Sequence, residues 1–167
     1  LLCDDDIVEP FNIGRQNFYP SDIGQYKSSV LSQRIFDSFD VPIKSIEKRL
    51  TLDSLIDIRP NIIISCVDNM DTRYLIDKYY SKLQEQSNNT DDSRKLHFWI
   101  DTGNTNNNGQ VFVTDCKILP SFTKHFGAIE NDNDTPSCSM SESLEKQDLF
   151  INDYSALTAI NIFWTAI

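Results

Sequence analysis

The stretch Asp4-Asp5-Asp6-Ile7-Val8-Glu9-Pro10-Phe11-Asn12-Ile13-Gly14-Arg15-Gln16, with Asp22-Ile23-Gly24-Gln25-Tyr26-Lys27 close behind it, decides how this chain is read. An apolar opening, Leu1-Leu2-Cys3, runs straight into three carboxylates. In an open α/β sheet, an acidic residue at the carboxyl end of a strand is where a nucleotide ribose is held. Asp4 and Asp6 alternate along a strand end and are therefore expected on opposite faces. Asp4 is the ribose candidate, with a solvated acidic strand end as the alternative. Asn12, Arg15 and Gln16 form a second group. A single loop arginine is ordinarily a surface charge, but a bidentate guanidinium beside a ribose-binding Asp is a natural clamp for phosphate or its leaving pyrophosphate. Lys27 falls in the first turns of an expected helix, where the positive end of the dipole adds to phosphate attraction. Taken alone it would be a helix-surface lysine.

Moving outward, Leu1–Cys3 is the end of a buried strand and Gly14–Tyr19 a single turn. Ser21 or Asp22 can cap a helix through about Phe39, with Ile23, Val30, Leu31 and Ile35 inward, and Pro42 closes that unit. Ile43–Leu50 suits an edge-like strand, and Thr51 or Asp53 starts a short helix that ends before Pro60. Asn61–Cys66 (Asn-Ile-Ile-Ile-Ser-Cys) is a β-branched run of the kind buried on both faces in a parallel sheet. Asp71 or Thr72 then opens a helix to about Gln86. Ser87–Lys95 is a polar loop, Leu96–Asp101 a strand, and Thr102–Gly109 a Gly/Asn turn into the strand Gln110–Thr114, which makes an antiparallel hairpin. Ala128–Ser137 reads as a mobile crossover loop. From about Ser139 a helix is expected to the end, with Phe150, Tyr154, Leu157, Ile160, Trp164 and Ile167 at steps of three and four. Strands alternating with helices and then a hairpin predict an α/β fold, Rossmann-like, whose mostly parallel sheet continues into an antiparallel or mixed part.

A second site group follows the Ile-rich strand. Asp68-Asn69 lies just beyond its carboxyl end, where such sheets place ligands, and an Asp there can hold Mg²⁺ against phosphate oxygens. Asp68 or Asp71 could equally cap the following helix, and Arg73 could pair with a helix-start carboxylate. Cys138, in Pro136-Ser137-Cys138-Ser139, precedes the last helix, where a cysteine has a depressed pKa and is a good thiolate nucleophile. Cys3 and Cys66 read as small core residues on strands. His97 and His125 have no partners at ligand spacing.

Composition bounds the rest. With 167 residues, 40% hydrophobic and 24% charged, the chain has the size and make-up of one globular domain. A net charge of −10 and a pI near 4.5 argue against a nucleic-acid surface or an anionic membrane as partner. No apolar run approaches the roughly 20 residues of a membrane span. Four scattered cysteines without a C-x-x-C pair indicate a reducing compartment, cytoplasmic by default, and offer no zinc-ribbon spacing. Both ends read as cut: the chain opens on Leu inside an apolar run, and Asn161–Ile167 stops in mid-pattern.

In order and spacing these pieces resemble the ThiF/MoeB/ubiquitin-activating-enzyme superfamily. The family pattern is an Asp-x-Asp-x-Val strand end, an Asn-x-x-Arg-Gln loop, a Gly-x-x-Lys helix start, and Cys-x-Asp-Asn with an Arg four on from that Asn. Here these are Asp4-Asp5-Asp6-Ile7-Val8, Asn12-Ile13-Gly14-Arg15-Gln16, Gly24-Gln25-Tyr26-Lys27, Cys66-Val67-Asp68-Asn69 and Arg73. The wording of Asn-Ile-Gly-Arg-Gln and of Pro-Ser-Cys-Ser…Gln-Asp-Leu-Phe-Ile-Asn looks most like the ThiF-like proteins of the bacterial PRTRC mobile-element system. The resemblance covers nearly the whole chain, most firmly residues 1–75.

It implies a single nucleotide-binding domain over residues 1–167 that carries out ATP-dependent adenylyl transfer to a C-terminal carboxylate, typically of a ubiquitin-like or sulfur-carrier protein, with a homodimer expected. By carry-over, Asp4 would bind the ribose of ATP, Asn12, Arg15 and Lys27 would contact its phosphates, Asp6, Gln16 and Asn69 would belong to the same cofactor-binding set, and Asp68 would hold Mg²⁺. Arg15, Lys27 and Cys138 would be the catalytic side chains. Three departures stand out. No G-x-G-x-x-G occurs, so the first strand and its glycine-rich loop are expected ahead of Leu1. The C-x-x-C pairs common in the family are absent, and Phe11 stands where relatives often carry Ser. A catalytically inactive ThiF-like scaffold or partner subunit is the alternative. An NAD-dependent dehydrogenase is a third reading, against which Arg15, Lys27 and Asp68-Asn69 speak, because hydride transfer has no use for a phosphate clamp.

Overall fold

The structure is a computed structural model that describes residues 1–14, 16–87, 98–104, 108–115, 119–127 and 150–166. The chain divides into two compact units, Leu1–Thr51 and Leu52–Ile167.

In the first unit, β1 (Leu2–Cys3) and β2 (Ser45–Ile46) pair in parallel, Leu2 opposite Ser45 and Cys3 opposite Ile46. A helix, α1 (Lys27–Phe39), connects them and stops where Asp40 adopts a left-handed conformation and returns its N–H to the Phe36 carbonyl at 2.8 Å. Asp tolerates this conformation better than a bulky residue does. The helix begins at Lys27, later than Ser21 or Asp22. Those two belong to a separate 3-10 turn, Pro20–Asp22, and Gly24 then takes φ +87°. That left-handed glycine lets its N–H reach the Val8 carbonyl at 2.9 Å, while the Val8 N–H binds the Gln25 carbonyl at 2.8 Å. The chain is thus pinned back on itself before helical geometry can start. Val8, Phe18 and Val30 form the core here, with Ile13 and Leu31 packed against them. Buried Asp22 ties the loop down: it accepts the Tyr19 N–H at 2.6 Å and pairs with Arg34, whose guanidinium lies 4.4 Å from the Tyr19 ring centre.

The second unit holds α2 (Leu52–Ile58), β3 (Ile62–Ser65), α3 (Met70–Ser87), β4 (Phe98–Asn104), β5 (Gly109–Thr114), α4 (Phe122–Phe126) and α5 (Ile151–Ala166). β3 and β4 are parallel, in register from Ile62–Phe98 to Ser65–Asp101, with α3 as the connection between them. β4 and β5 form the antiparallel hairpin, Trp99 opposite Thr114 and Asn104 opposite Gly109. Alternation along β4 separates two faces. Phe98 and Ile100 pack with Ala159 of α5, joined by Ile62, Val111, Val113, Ile162 and Phe163. Trp99 turns to the other face, fully buried, with its ring nearly parallel to that of Tyr80 on α3 and at 5.5–5.7 Å from Phe122 and Phe112. A two-stranded parallel sheet with its connecting helix in the first unit, and a three-stranded mixed sheet with helices on both faces in the second, make this an α/β, Rossmann-like fold, as the sequence pattern predicts.

One expectation is corrected, and the face that the last helix buries is defined. β3 is not buried on both faces: Ile64 is exposed, because β4 is its one partner among the described residues and β3 is the edge of the three-stranded sheet. On α5, Tyr154, Leu157, Ile160 and Trp164 are exposed, as is Phe150 just ahead of it, while Ser155 and Ala159 are buried on the opposite side. This helix is apolar nearly all round, so apolar spacing alone does not single out the inward face; small residues do, by allowing close approach to the sheet. The expected beginning of that helix at Ser139, the Ser87–Lys95 loop beyond Ser87, the Ala128–Ser137 loop and Ile167 lie outside the described residues.

The closeness of α5 is measurable at Gly109, where a Cβ would stand 2.3 Å from Ser155 Oγ. Gly109→Ala is therefore expected to destabilise the protein by about 1–3 kcal/mol, the usual cost of overpacking. Once Ser155 Oγ is removed, the next atom is Ile151 Cδ1 at 3.5 Å, an ordinary contact. Gly109→Ala with Ser155→Ala should thus recover most of the loss, a coupling read by urea denaturation of the four members of the double-mutant cycle.

Candidate functional site

The opening acidic run is shaped by the end of β1. Extended geometry stops at Cys3, and Asp4 Oδ1 accepts the Asp6 N–H at 2.9 Å, an Asx turn. The expected alternation therefore does not hold: Asp4, Asp5 and Asp6 each bring a carboxylate oxygen within 4.8 Å of the others. Asp4 is half-buried and its carboxyl is pushed above the ordinary range. Burial is the largest cause; the Asp6 N–H and Lys27 pull it down, while Asp6 and Asp5 push it further up. Lys27 is the first residue of α1, and two bonds fix it beside Asp6: its N–H to the Asp6 carbonyl at 2.9 Å and its Nζ to Asp6 Oδ2 at 2.8 Å. Ser28 Oγ donates to the Asp4 carbonyl at 3.0 Å. The structure thus brings Asp4, Asp6 and Lys27 together, with the ammonium already partnered.

Asn12 closes a 3-10 turn, Pro10–Asn12, and is buried. Its Oδ1 accepts the Glu9 N–H at 2.8 Å, which assigns the amide orientation and leaves the Nδ2 donors over. Asn12 Nδ2 and the Oε1 of Gln16 are both buried without a hydrogen-bond partner among the described residues. Most buried polar atoms in folded proteins are paired, so two orphans within five residues call for an explanation. An unpaired buried donor suits a phosphate oxygen, and an unpaired buried acceptor suits a hydroxyl or an amine. A nucleoside triphosphate carries both kinds of group, so the donor set fits it. Arg15 lies outside the described residues, as does Cys138.

In the second unit, the helix-capping role belongs to Asn69 rather than to Asp68 or Asp71. Asn69 Oδ1 accepts the Thr72 N–H at 2.9 Å, and its Nδ2 donates to Asp68 Oδ1 at 3.2 Å. Asp68 is left exposed beyond the carboxyl end of β3, with a carboxylate able to hold a divalent cation. Cys66 is exposed rather than a core residue, since the strand ends at Ser65. Cys3 is half-buried and gives its thiol hydrogen to the Lys48 carbonyl at 3.2 Å.

Arg73 pairs with Asp101 of β4, not with a helix-start carboxylate. Its Nε donates to Asp101 Oδ2 at 2.7 Å and its Nη2 to the Val67 carbonyl at 2.6 Å. Asp101 Oδ1 accepts from Ser65 Oγ at 2.5 Å, and Ser65 Oγ accepts from Trp99 Nε1 at 2.8 Å. This buried chain of polar groups ties the Val67–Asn69 loop to the sheet. Sequence reasoning missed Asp101 and Ser65. The available signal was an Asp ending the apolar run Phe98-Trp99-Ile100, two residues from Trp99 and so on its face. Asp77 was missed too: from α3 it accepts the Phe122 N–H at 2.8 Å and Thr123 Oγ1 at 2.6 Å, anchoring α4.

Among the described residues no helix is long and apolar enough to cross a membrane. Compared with curated proteins, the chain has no match. Its residues 1–163 match the model of the ThiF family. With that match across nearly its full length, and with the α/β sheet, the Asp4–Asp6–Lys27 cluster and the Asp68-Asn69 helix start on the page, the chain belongs to the ThiF family.

Proposed function

We propose that this chain is the ATP-using part of an adenylyltransferase that activates the C-terminal carboxylate of a ubiquitin-like or sulfur-carrier protein. The observation that carries the reading is the buried Asn12 amide, whose Nδ2 has no partner among the described residues, with the likewise unpartnered Gln16 oxygen four residues on, in the stretch of chain between Asp6 and the Lys27 that pairs with it. In this reading Asp4 accepts hydrogen bonds from the ribose hydroxyls and acts in its ionised form. Asn12, Arg15 and Lys27 meet the phosphates, Gln16 and Asn69 complete the nucleotide contacts, and Asp68 holds Mg²⁺. Bound ATP supplies an electrophilic phosphorus and pyrophosphate as leaving group. The protein's part is positioning and neutralisation of charge. Cys138 would receive the activated acyl group or sulfur, in a cytoplasmic protein of the PRTRC type.

A non-catalytic scaffold is the second reading, and one observation favours it: Asp6 already neutralises Lys27. Exchange of labelled pyrophosphate into ATP by the protein with its acceptor separates the two. Exchange is expected, and Asn12→Asp should lower it at least about tenfold. The substitution keeps an acceptor for the Glu9 N–H but puts an oxygen where the unpaired donors were, and a hydrogen bond to a charged group is worth about 1.5–3 kcal/mol. Absence of exchange in the intact, folded protein would establish the scaffold.

A further inference from the structure

We propose that Arg73, held between Asp101 and the Val67 carbonyl, is a positioning residue that sets the Asp68 carboxylate for its cation. The inference rests on the reading of Asp68 as the Mg²⁺ ligand. Asp68 is exposed, in the short irregular connection between β3 and α3. Such a carboxylate has no fixed direction of its own, whereas a metal ligand must be held within about 0.5 Å of its productive place. Two side chains at the start of α3 reach this connection. Asn69 Nδ2 donates to Asp68 Oδ1 at 3.2 Å, and Arg73 reaches back to give its Nη2 hydrogen to the carbonyl of Val67, the residue before Asp68, at 2.6 Å.

The rest of the guanidinium is directed into the fold. Its Nε donates to Asp101 Oδ2 at 2.7 Å, its Nη2 has a longer contact to the Thr102 carbonyl at 3.4 Å, and its Nη1 points to Met70 Sδ at 3.7 Å. A phosphate ligand needs an open edge of the fork. Here the side chain is buried and all three nitrogens have protein partners, so Arg73 acts on the site through the backbone and not by touching the nucleotide. The fork is planar and rigid, so it holds its two strongest acceptors in one fixed relation. The place of Asp101 on β4 is thereby transmitted to the backbone beside Asp68.

Gly103 gives independent support. It lies two residues beyond Asp101 on β4 and so on the same face of the strand. A Cβ there would stand 3.2 Å from Arg73 Nη2, the nitrogen that holds Val67. Glycine inside a strand weakens it and marks a close approach. The group that approaches here is the guanidinium: Asp101 orients it and Gly103 leaves it room.

ATP and Mg²⁺ are the probes. Calorimetric titration of the wild type is expected to show tighter ATP binding with Mg²⁺ than in a chelator. Arg73→Lys keeps the charge without the fork, so its binding in the chelator should stay within about twofold of wild type. With Mg²⁺ its binding should weaken about tenfold, the usual loss when a group that orients a metal ligand is removed. Gly103→Ala removes no hydrogen-bonding group and only crowds Nη2. A misplacement of 1 Å can cost on the order of 10²-fold, so a shift of a few tenths of an ångström should weaken the Mg²⁺-dependent binding about three- to fivefold. In nucleotide-free protein, amide hydrogen exchange should quicken in both variants at residues 66–72 and keep the wild-type rate in β5.

A lysine variant with the wild-type gain from Mg²⁺ overturns the proposal and leaves the ATP site standing. Weaker binding in the chelator overturns it by making the guanidinium a phosphate ligand. Faster exchange throughout the second unit overturns it by reducing Arg73 to a source of stability. Should Arg73→Lys fail to fold, Gly103→Ala decides alone. A wild type that binds ATP equally with and without Mg²⁺, or does not bind it, overturns the metal role of Asp68 and this inference together.

Discussion

Asp68→Ala is expected to lower ATP–pyrophosphate exchange by at least about 10²-fold while leaving unfolding free energy within about 0.5 kcal/mol of wild type. The two halves of that expectation have different grounds. Asp68 is exposed, and its hydrogen-bond partner among the described residues is the Nδ2 of Asn69. The cap that starts α3 is made by the other amide atom, Asn69 Oδ1, so removing Asp68 leaves the helix start intact. Among the described residues, no other hydrogen bond ties this carboxylate to the fold. In the proposed function, by contrast, it is the anionic ligand that holds Mg²⁺ against the phosphates, and aligning and neutralising those oxygens supplies much of the acceleration in phosphoryl chemistry. Asp68→Asn should be nearly as defective as the alanine variant, because it keeps the size and a contact to Asn69 but loses the charge. Calorimetric titration with ATP should then show a Mg²⁺ dependence in wild type that both variants lack. Unchanged exchange in the two variants would remove Asp68 from the metal role and leave family membership untouched.

The pieces of this architecture that could be read from the sequence are those set by local pattern. Ile62–Ser65, α3, the β4–β5 hairpin and the parallel-then-mixed order follow from β-branched runs, turn residues and strand–helix alternation. Boundaries shifted where a local competitor intervened. Gly24 and the 3-10 turn before it hold the chain against Val8 and delay α1 to Lys27. An Asx turn at Asp4 ended the pleat and gathered carboxylates that strand alternation would have parted. What could not be read was tertiary choice. Arg73 had several carboxylates available in sequence, and only the register of β3 on β4 sets Ser65 opposite Asp101 and brings that pair to the guanidinium. Likewise α5 offers apolar side chains all round, and the face that packs is decided by the small residues Ser155 and Ala159. The candidate site follows the same division. The identities Asp4, Asn12, Lys27 and Asp68 stand in the sequence, while the partnering of Lys27 with Asp6 and the unpaired Asn12 donors are known only from the fold.

Asp101→Ala should be the most destabilising single change in the second unit, by about 3–5 kcal/mol in urea denaturation, against about 1–2 kcal/mol for Asp101→Asn. Asp101 and Arg73 are both buried, at 6% and 12% side-chain exposure, so solvent cannot replace a lost partner. Alanine leaves the Arg73 Nε–H and the Ser65 hydroxyl unpaired in the interior, and Ser65 in turn holds the Trp99 indole N–H. Asparagine is milder. Its oxygen can still accept from Arg73, and its amide can donate to Ser65 Oγ, which then serves as an acceptor. The difference between wild type and the Asn variant also depends on pH in a definite direction. Burial pushes the Asp101 carboxyl above its ordinary 3.8, against the opposing pull of the Ser65 hydrogen bond and of Arg73. Between that ordinary value and the raised one, the folded state holds more protons than the unfolded state, so this group's contribution to stability falls as pH rises through the window. Asp101→Asn has no such proton to lose. Its deficit relative to wild type should therefore be largest at the acid end and should narrow as the pH rises. A deficit that widened instead would mean that the Arg73 pairing outweighs burial and that the ionised pair is a net source of stability for the loop carrying Asp68.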